Sequence, residues 1–262
     1  MTRSLSIAAT GMLAQQLNVE VISNNIANLN TTGFKRQRAE FQDLIYQNQL
    51  RVGSTSTDGG SIVPAGIQLG TGVNAGAVYR ITEQGSVVQT GNTYDLAIQG
   101  KGYFRVVLPD GQETYSRAGS FQLSPTGEIV TQDGFQVSPG VTVPADSVGV
   151  TINQSGEVLV SIDGQVDPTN VGQLELVTFP NEAGLEAVGD NLYLETPASG
   201  AATVGTPGTG GVGTVLQGFL ETANVNPVSE ITNLITAQRA YEMNSRVITA
   251  SDEMLRTITN LR

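Results

Sequence analysis

Cysteine and histidine are both missing from this 262-residue chain. Their absence removes thiol nucleophiles, disulfides, thiolate metal sites and the usual base at neutral pH. It identifies no compartment, because a reducing cytosol and a disulfide-free export route both allow it. Long apolar runs are missing too. No stretch reaches the eighteen residues that a membrane helix needs, so no membrane insertion is expected. Charge is scarce: 14% of residues are charged, against roughly 25% in an ordinary soluble domain. Cations are scarcest, and a net charge of −11 with pI near 4.4 excludes a phosphate-binding face and hence a nucleic-acid partner. The start, Met1-Thr2-Arg3-Ser4, is followed by an apolar pattern broken at Thr10, Gln15, Gln16, Asn18 and Glu20. A cleavable signal peptide needs an unbroken apolar stretch there, so any export is expected to proceed without one.

What the chain does have is a similar pattern at both ends. Leu5, Met12, Val19 and Ile26 fall seven apart, accompanied by Ala8, Ile22 and Leu29. The same spacing returns in Leu234, Tyr241, Ile248 and Leu255, flanked by Ala240, Val247, Met254, Ile258 and Leu261. A seven-residue apolar repeat predicts helices that wind around other helices. Between Ser4 and Phe34 the only charged residue is Glu20, so the first helix has no obvious solvent face. Its neutral polar side chains can bond inside a packed assembly without the desolvation cost of an ion. Two readings follow: the end helices pack against other copies of the chain, or they pair only within one subunit as a helical hairpin.

Asn28, Asn30 and Gly33 supply helix-ending chemistry. Lys35, Arg36 and Arg38 come next, on a second short helix or an extended arm. They form either a solvated patch or a clamp onto Glu40 or Asp43 of a neighbouring subunit. From Tyr46 to Val73 the chain is rich in Gly, Ser and Thr and reads as an extended insertion, either a loose linker or a wedge that orders between subunits. From about Val73 to Leu220 short β-rich runs alternate with Asp110-Gly111, Thr126-Gly127, Asp133-Gly134, Ser155-Gly156 and Asp163-Gly164. Asp-Gly between two such runs predicts a hairpin, because both turn positions accept positive φ, and the region as a whole an antiparallel sandwich or irregular barrel. Asn226-Pro227 with Glu230 predicts the start of the last helix. The expected class is α+β: helical segments 1–45 and 226–262 forming a coiled-coil-like domain, an insertion 46–72, a β-domain 73–200 and a return linker 201–225.

Enzyme readings find little support. Gly208, Gly210 and Gly213 satisfy a G-x-G-x-x-G spacing, but an extended segment with Val215, Leu216 and Phe219 follows where a nucleotide site needs a helix. Asp110, Asp133 and Asp163, candidates for a glycosidase carboxylate pair, all sit in turn dipeptides whose backbone geometry already explains them. No catalytic, cofactor or metal site is expected. A secreted adhesin-like β-module fits the composition but does not require heptads at both ends.

The run Asn25-Ile26-Ala27-Asn28-Leu29-Asn30-Thr31-Thr32-Gly33-Phe34-Lys35 resembles the N-terminal signature of the bacterial flagellar rod and hook proteins. Gln238-Arg239-Ala240-Tyr241-Glu242-Met243-Asn244-Ser245 is similar to the matching C-terminal signature, and Leu96–Phe104 and Asn191–Thr196 resemble the family's β-domain. Within the family, the total length, the insertion from Tyr46 to Gly66 and the run Pro64–Val73 resemble the distal-rod branch more than the proximal-rod or hook branches. Ala223 departs from the Ser common in the family. The resemblance implies a subunit exported unfolded through the flagellar export apparatus and polymerised helically in the periplasm, with its terminal helices lining the tube. It implies contacts with its own copies, proximal rod proteins, hook protein and the periplasmic and outer-membrane ring bushings. The interface residues it implies are Leu5, Met12, Val19, Ile22, Ile26, Leu29, Leu234, Tyr241, Ile248 and Leu255. The motif positions are Asn25, Ala27, Asn28, Thr31, Gly33, Phe34, Gln238, Arg239, Ala240 and Tyr241.

Overall fold

The computed structural model describes residues 2–50, 65–165 and 167–260. Its elements group into two compact units: one of residues 1–26, 37–79 and 226–262, the other of residues 27–36 and 80–225. The class is α+β, as the patterning indicates.

The first unit holds both long helices, α1 (Thr2–Ala27) and α2 (Pro227–Asn260). At 26 and 34 residues they are ~39 and ~51 Å long. Asn226 caps α2 as expected: its side-chain oxygen accepts from the backbone N–H of Val228 (3.1 Å) and Ser229 (3.3 Å). Helix α1 stops earlier than the expected helical segment 1–45, and residues 37–43 are strand. Strand Gln37–Asp43 pairs with Val73–Arg80, so the basic stretch lies on an extended arm. Strand Tyr46–Leu50 pairs with Ile67–Gly70, and nearly all of its side chains are exposed, which fits an insertion without a core. The middle of that insertion, residues 51–64, lies outside the described residues.

The second unit is antiparallel throughout its described strand pairs. Its central strand Tyr103–Val107 is flanked by Glu113–Ser116 on one side, and by Gln136–Val137 and Leu176–Thr178 on the other. Side chains alternate along a strand, so neighbouring residues serve opposite faces. Phe104 and Leu176 enter one core with Leu96, Ile98, Phe121 and Val158. Tyr103 and Val177 enter another, with Tyr115, Phe179, Leu185 and Tyr193. Phe104 meets Phe121 edge-on at 5.0 Å, and Tyr115 meets Phe179 at 4.8 Å, the favoured geometry for ring quadrupoles.

All five turn dipeptides join antiparallel neighbours, but glycine alone takes positive φ, for instance 83° at Gly111 and 84° at Gly127. At Pro109-Asp110-Gly111 the N–H of Gly111 donates to Leu108 and that of Leu108 donates to Gln112. The same pair of bonds recurs at residues 124–128, 131–135 and 153–157. These are three-residue hairpins needing one left-handed position, supplied by glycine. The expected return linker 201–225 carries three short strands among its turns. Thr203–Gly205 pairs with Leu176–Thr178, Thr214–Gln217 with Leu96–Gln99, and Phe219–Glu221 with Val87–Gln89. Its Gly- and Thr-rich composition hid backbone pairing that only the tertiary fold supplies. The glycines of the G-x-G-x-x-G spacing therefore run into strand Thr214–Gln217, with no helix opening from them.

Candidate assembly interface

Helices α1 and α2 lie side by side in opposite directions. Ser4 Oγ is 3.3 Å from Ser251 Oγ, and Asn25 Nδ2 donates to Glu230 Oε2 at 3.3 Å. Between these contacts Gly11 faces Asn244 so closely that an added Cβ would lie 2.8 Å from its Nδ2. Each step of seven along α1 is matched by seven back along α2. The contacts of the seam thus join Ser4, Gly11 and Asn25 to Ser251, Asn244 and Glu230; Ala8, Ala14, Val21, Ile22 and Ala237 are the buried apolar residues of the two helices. Small and polar side chains make these contacts.

The expected interface residues separate accordingly. Ile22 is buried within the chain, and Leu29 lies in the turn after α1 rather than on the helix. Leu5, Met12, Val19, Ile26, Leu234, Ile248 and Leu255 are half-buried, and Tyr241 is exposed. The largest exposed apolar groups on the helices are ones the heptad reading overlooked: Leu13 at 67%, Val228 at 73% and Met243 at 61%. Ile7, Ile231, Ile235, Val247, Met254 and Ile258 are exposed as well. Their signal was present in the sequence, as apolar residues off the main heptad in helices with few charges. Exposed apolar area of this kind marks an interaction face.

The N-terminal motif residues act where α1 ends. Asn25, 1% exposed, accepts from the N–H of Gln37 (2.8 Å) and donates to its carbonyl (2.9 Å). Asn28 accepts from both the backbone N–H and the hydroxyl of Thr31, each at 3.1 Å. Gly33 sits at φ 68°, and a Cβ there would lie 2.7 Å from Ala118 N, so no other residue fits without strain. Phe34 is half-buried and its carbonyl accepts from Asn224 N–H. Ala27 is exposed. At the other end Gln238, Arg239 and Tyr241 are exposed and Ala240 is half-buried.

Sequence reading missed a buried ion triad in the second unit. Lys35 Nζ reaches Glu221 Oε1 at 2.6 Å, and Arg117 Nε reaches Glu221 Oε2 at 2.6 Å. The N–H of Gly85 donates to the same carboxylate, Lys35 donates to the Glu83 carbonyl, and Arg117 donates to the carbonyls of Gly102, Gly100 and Ile98. Lys35 is therefore neither a solvated patch nor a clamp on Glu40 or Asp43 of a neighbour. Arg36 is part-exposed beside Glu83 at 3.5 Å, and Arg38 is exposed. Burial is the largest influence on Glu221 and would raise its pKa, but Arg117, Lys35 and the hydrogen bonds together hold it below 4.5. Burial also dominates at Lys35 and lowers its pKa despite the pull of Glu221. In sequence Lys35 shows only as the first of three basic residues that close a charge-poor run.

Three family models match the chain: "Flagella basal body rod protein" over residues 5–35, "Flagellar hook protein FlgE/F/G D1 domain" over 97–160, and "Flagellar basal body rod FlgEFG protein C-terminal" over 216–261. The flagellar basal-body rod protein FlgG of Caulobacter vibrioides is 60% identical over 260 residues, covering 99% of each chain. The chain belongs to the flagellar basal-body rod protein family. FlgG of Bacillus subtilis is 40% identical with both chains fully covered, whereas the hook-basal body complex protein FlhP of the same organism is 31% identical. The likeness is thus to the FlgG class of this rod family, whose members are structural flagellar proteins. Each matched segment contributes one member of the triad: Lys35, Arg117 and Glu221. Among the described residues no helix is long and apolar enough to cross a membrane.

Proposed function

We propose that the chain is the distal-rod subunit, polymerising helically through α1 and α2 into a stiff shaft that transmits torque from motor to hook. The observation that carries this reading is the division of labour on the helices. Their seam within the chain consumes small and polar residues, and the large apolar ones stay at the surface. A fully buried Leu, Ile or Met contributes roughly 1.5–3 kcal/mol, and association costs roughly 4–15 kcal/mol. The exposed set on the two helices is large enough to exceed that cost once neighbours cover it. The half-buried residues Leu5, Met12, Val19, Ile26, Leu234, Ile248 and Leu255, with Tyr241, then wind against adjacent copies in coiled-coil fashion.

In this reading the other partners are the proximal rod, the hook, the ring bushings in the periplasm and outer membrane, and the flagellar export apparatus. The chain acts in the part of the flagellar basal body that crosses the periplasm, as a structural subunit. The test is polymerisation of purified protein carrying Leu13→Glu or Met243→Glu. Surface changes of this kind leave stability within about 0.5 kcal/mol. Both variants are expected to keep the parent's melting temperature and to form no filaments at concentrations where the parent does. Filaments formed by both variants as readily as by the parent would refute the assignment of these faces.

A further inference from the structure

We propose that Asn25 sets the register of the terminal helix pair, selecting one alignment of α1 against α2 from several that the seam itself distinguishes poorly. The seam repeats every seven residues on both helices. Sliding α2 by one repeat, about 10.5 Å, would bring Ser4 opposite Asn244 and Gly11 opposite Ala237. Those pairings are as small or as flexible as the observed ones, so contact volume alone gives little preference.

One place on the seam does discriminate. Asn25 spends both amide hydrogens and its oxygen at a three-way junction: the carbonyl and N–H of Gln37 at 2.9 and 2.8 Å, and Glu230 Oε2 at 3.3 Å. Glu230 is itself buried, in the first turn of α2, where the capped helix end favours a carboxylate. In one slipped alignment Glu230 would face Asn18, and Asn25 would face a position before α2 begins. In the other, Asn25 would face Ala237 and Glu230 would pass the end of α1. Either slip separates this pair, and losing a hydrogen bond to a buried carboxylate is costly. A single buried polar contact that fixes helix register is an established physical device. Gln37 begins the extended arm, so the same amide ties the register of the helices to the direction in which the chain leaves them.

The absence of native cysteine makes disulfide trapping a clean test. Full-length Ser4→Cys/Ser251→Cys reports the observed register and Ser4→Cys/Asn244→Cys the slipped one, each read as an intrachain bond at monomer mass on a non-reducing gel. A disulfide requires Cα atoms within about 7 Å, so the first pair is expected to close at least tenfold faster than the second. Adding Asn25→Leu should bring the two rates to within about twofold with no change in the melting of the β-rich unit, whereas Glu230→Gln, which keeps an acceptor oxygen, should retain the parent's preference. A tenfold preference surviving Asn25→Leu, or no closure of either pair at monomer mass in the parent background, would overturn the proposal.

Discussion

Glu221 neutralises two buried cations at once, which makes it the residue whose replacement is felt most widely in the β-rich unit. Removing one partner of a buried ion pair costs roughly 3–5 kcal/mol because the remaining charge stays unpaired. Glu221→Gln is expected to lower the melting temperature by about 10 °C, at ~2–4 °C per kcal/mol for a unit of this size. The pH dependence has a definite sign. The folded-state pKa of Glu221 lies below 4.5, so its ionised form contributes stability above that pH, and the contribution is lost as pH falls below it. Melting temperatures measured between about pH 7 and pH 3 should therefore fall more steeply in the parent than in Glu221→Gln, which has no such group to protonate. The triad was not legible in sequence. Lys35 and Glu221 are 186 positions apart, and nothing local to either names the other. Gly33 and Asn25, by contrast, stood out as motif positions, and their roles became clear once the backbone showed a left-handed residue and a bonded junction.

Elements were read best where the determining interactions are local. Hairpins declared themselves through turn dipeptides, and the start of α2 through Asn226-Pro227. The segment 201–225 failed because its strands pair with partners more than a hundred residues away in two of three cases. The heptads led to an expectation of helices wound around other helices, whereas the contacts between α1 and α2 within the chain run through small and polar side chains beside the heptad positions. Gly11 tests that arrangement. Its would-be Cβ meets only the flexible end of Asn244, so Gly11→Ala should be tolerated and should gain up to ~1 kcal/mol of helix propensity. Gly11→Leu should wedge the helices apart and sharply slow closure of the Ser4→Cys/Ser251→Cys disulfide. Equal closure in the two variants would mean that the seam is not close-packed there.

At the scale of the whole molecule, charge is divided unevenly. The β-rich unit holds sixteen carboxylates against six basic side chains, while the helical unit holds eight against seven. Copies gathered into a polymer bring like-charged β-rich units together, and the apolar helix contacts are indifferent to salt. Polymerisation followed by light scattering should therefore speed up as ionic strength rises from about 0.01 to 0.15 M, where the screening length shortens from ~30 to ~8 Å. Slower assembly with added salt would point to ionic contacts between copies instead. The central claim is that the apolar side chains left bare on α1 and α2 are covered by other copies of the chain. Thiol labelling of Met243→Cys, before and after polymerisation, tests it directly, with Val148→Cys on the β-rich unit (74% exposed in the parent) as reference. The account predicts strong protection at position 243 in the polymer with position 148 still reactive; labelling at 243 as fast in the polymer as in the monomer would contradict it.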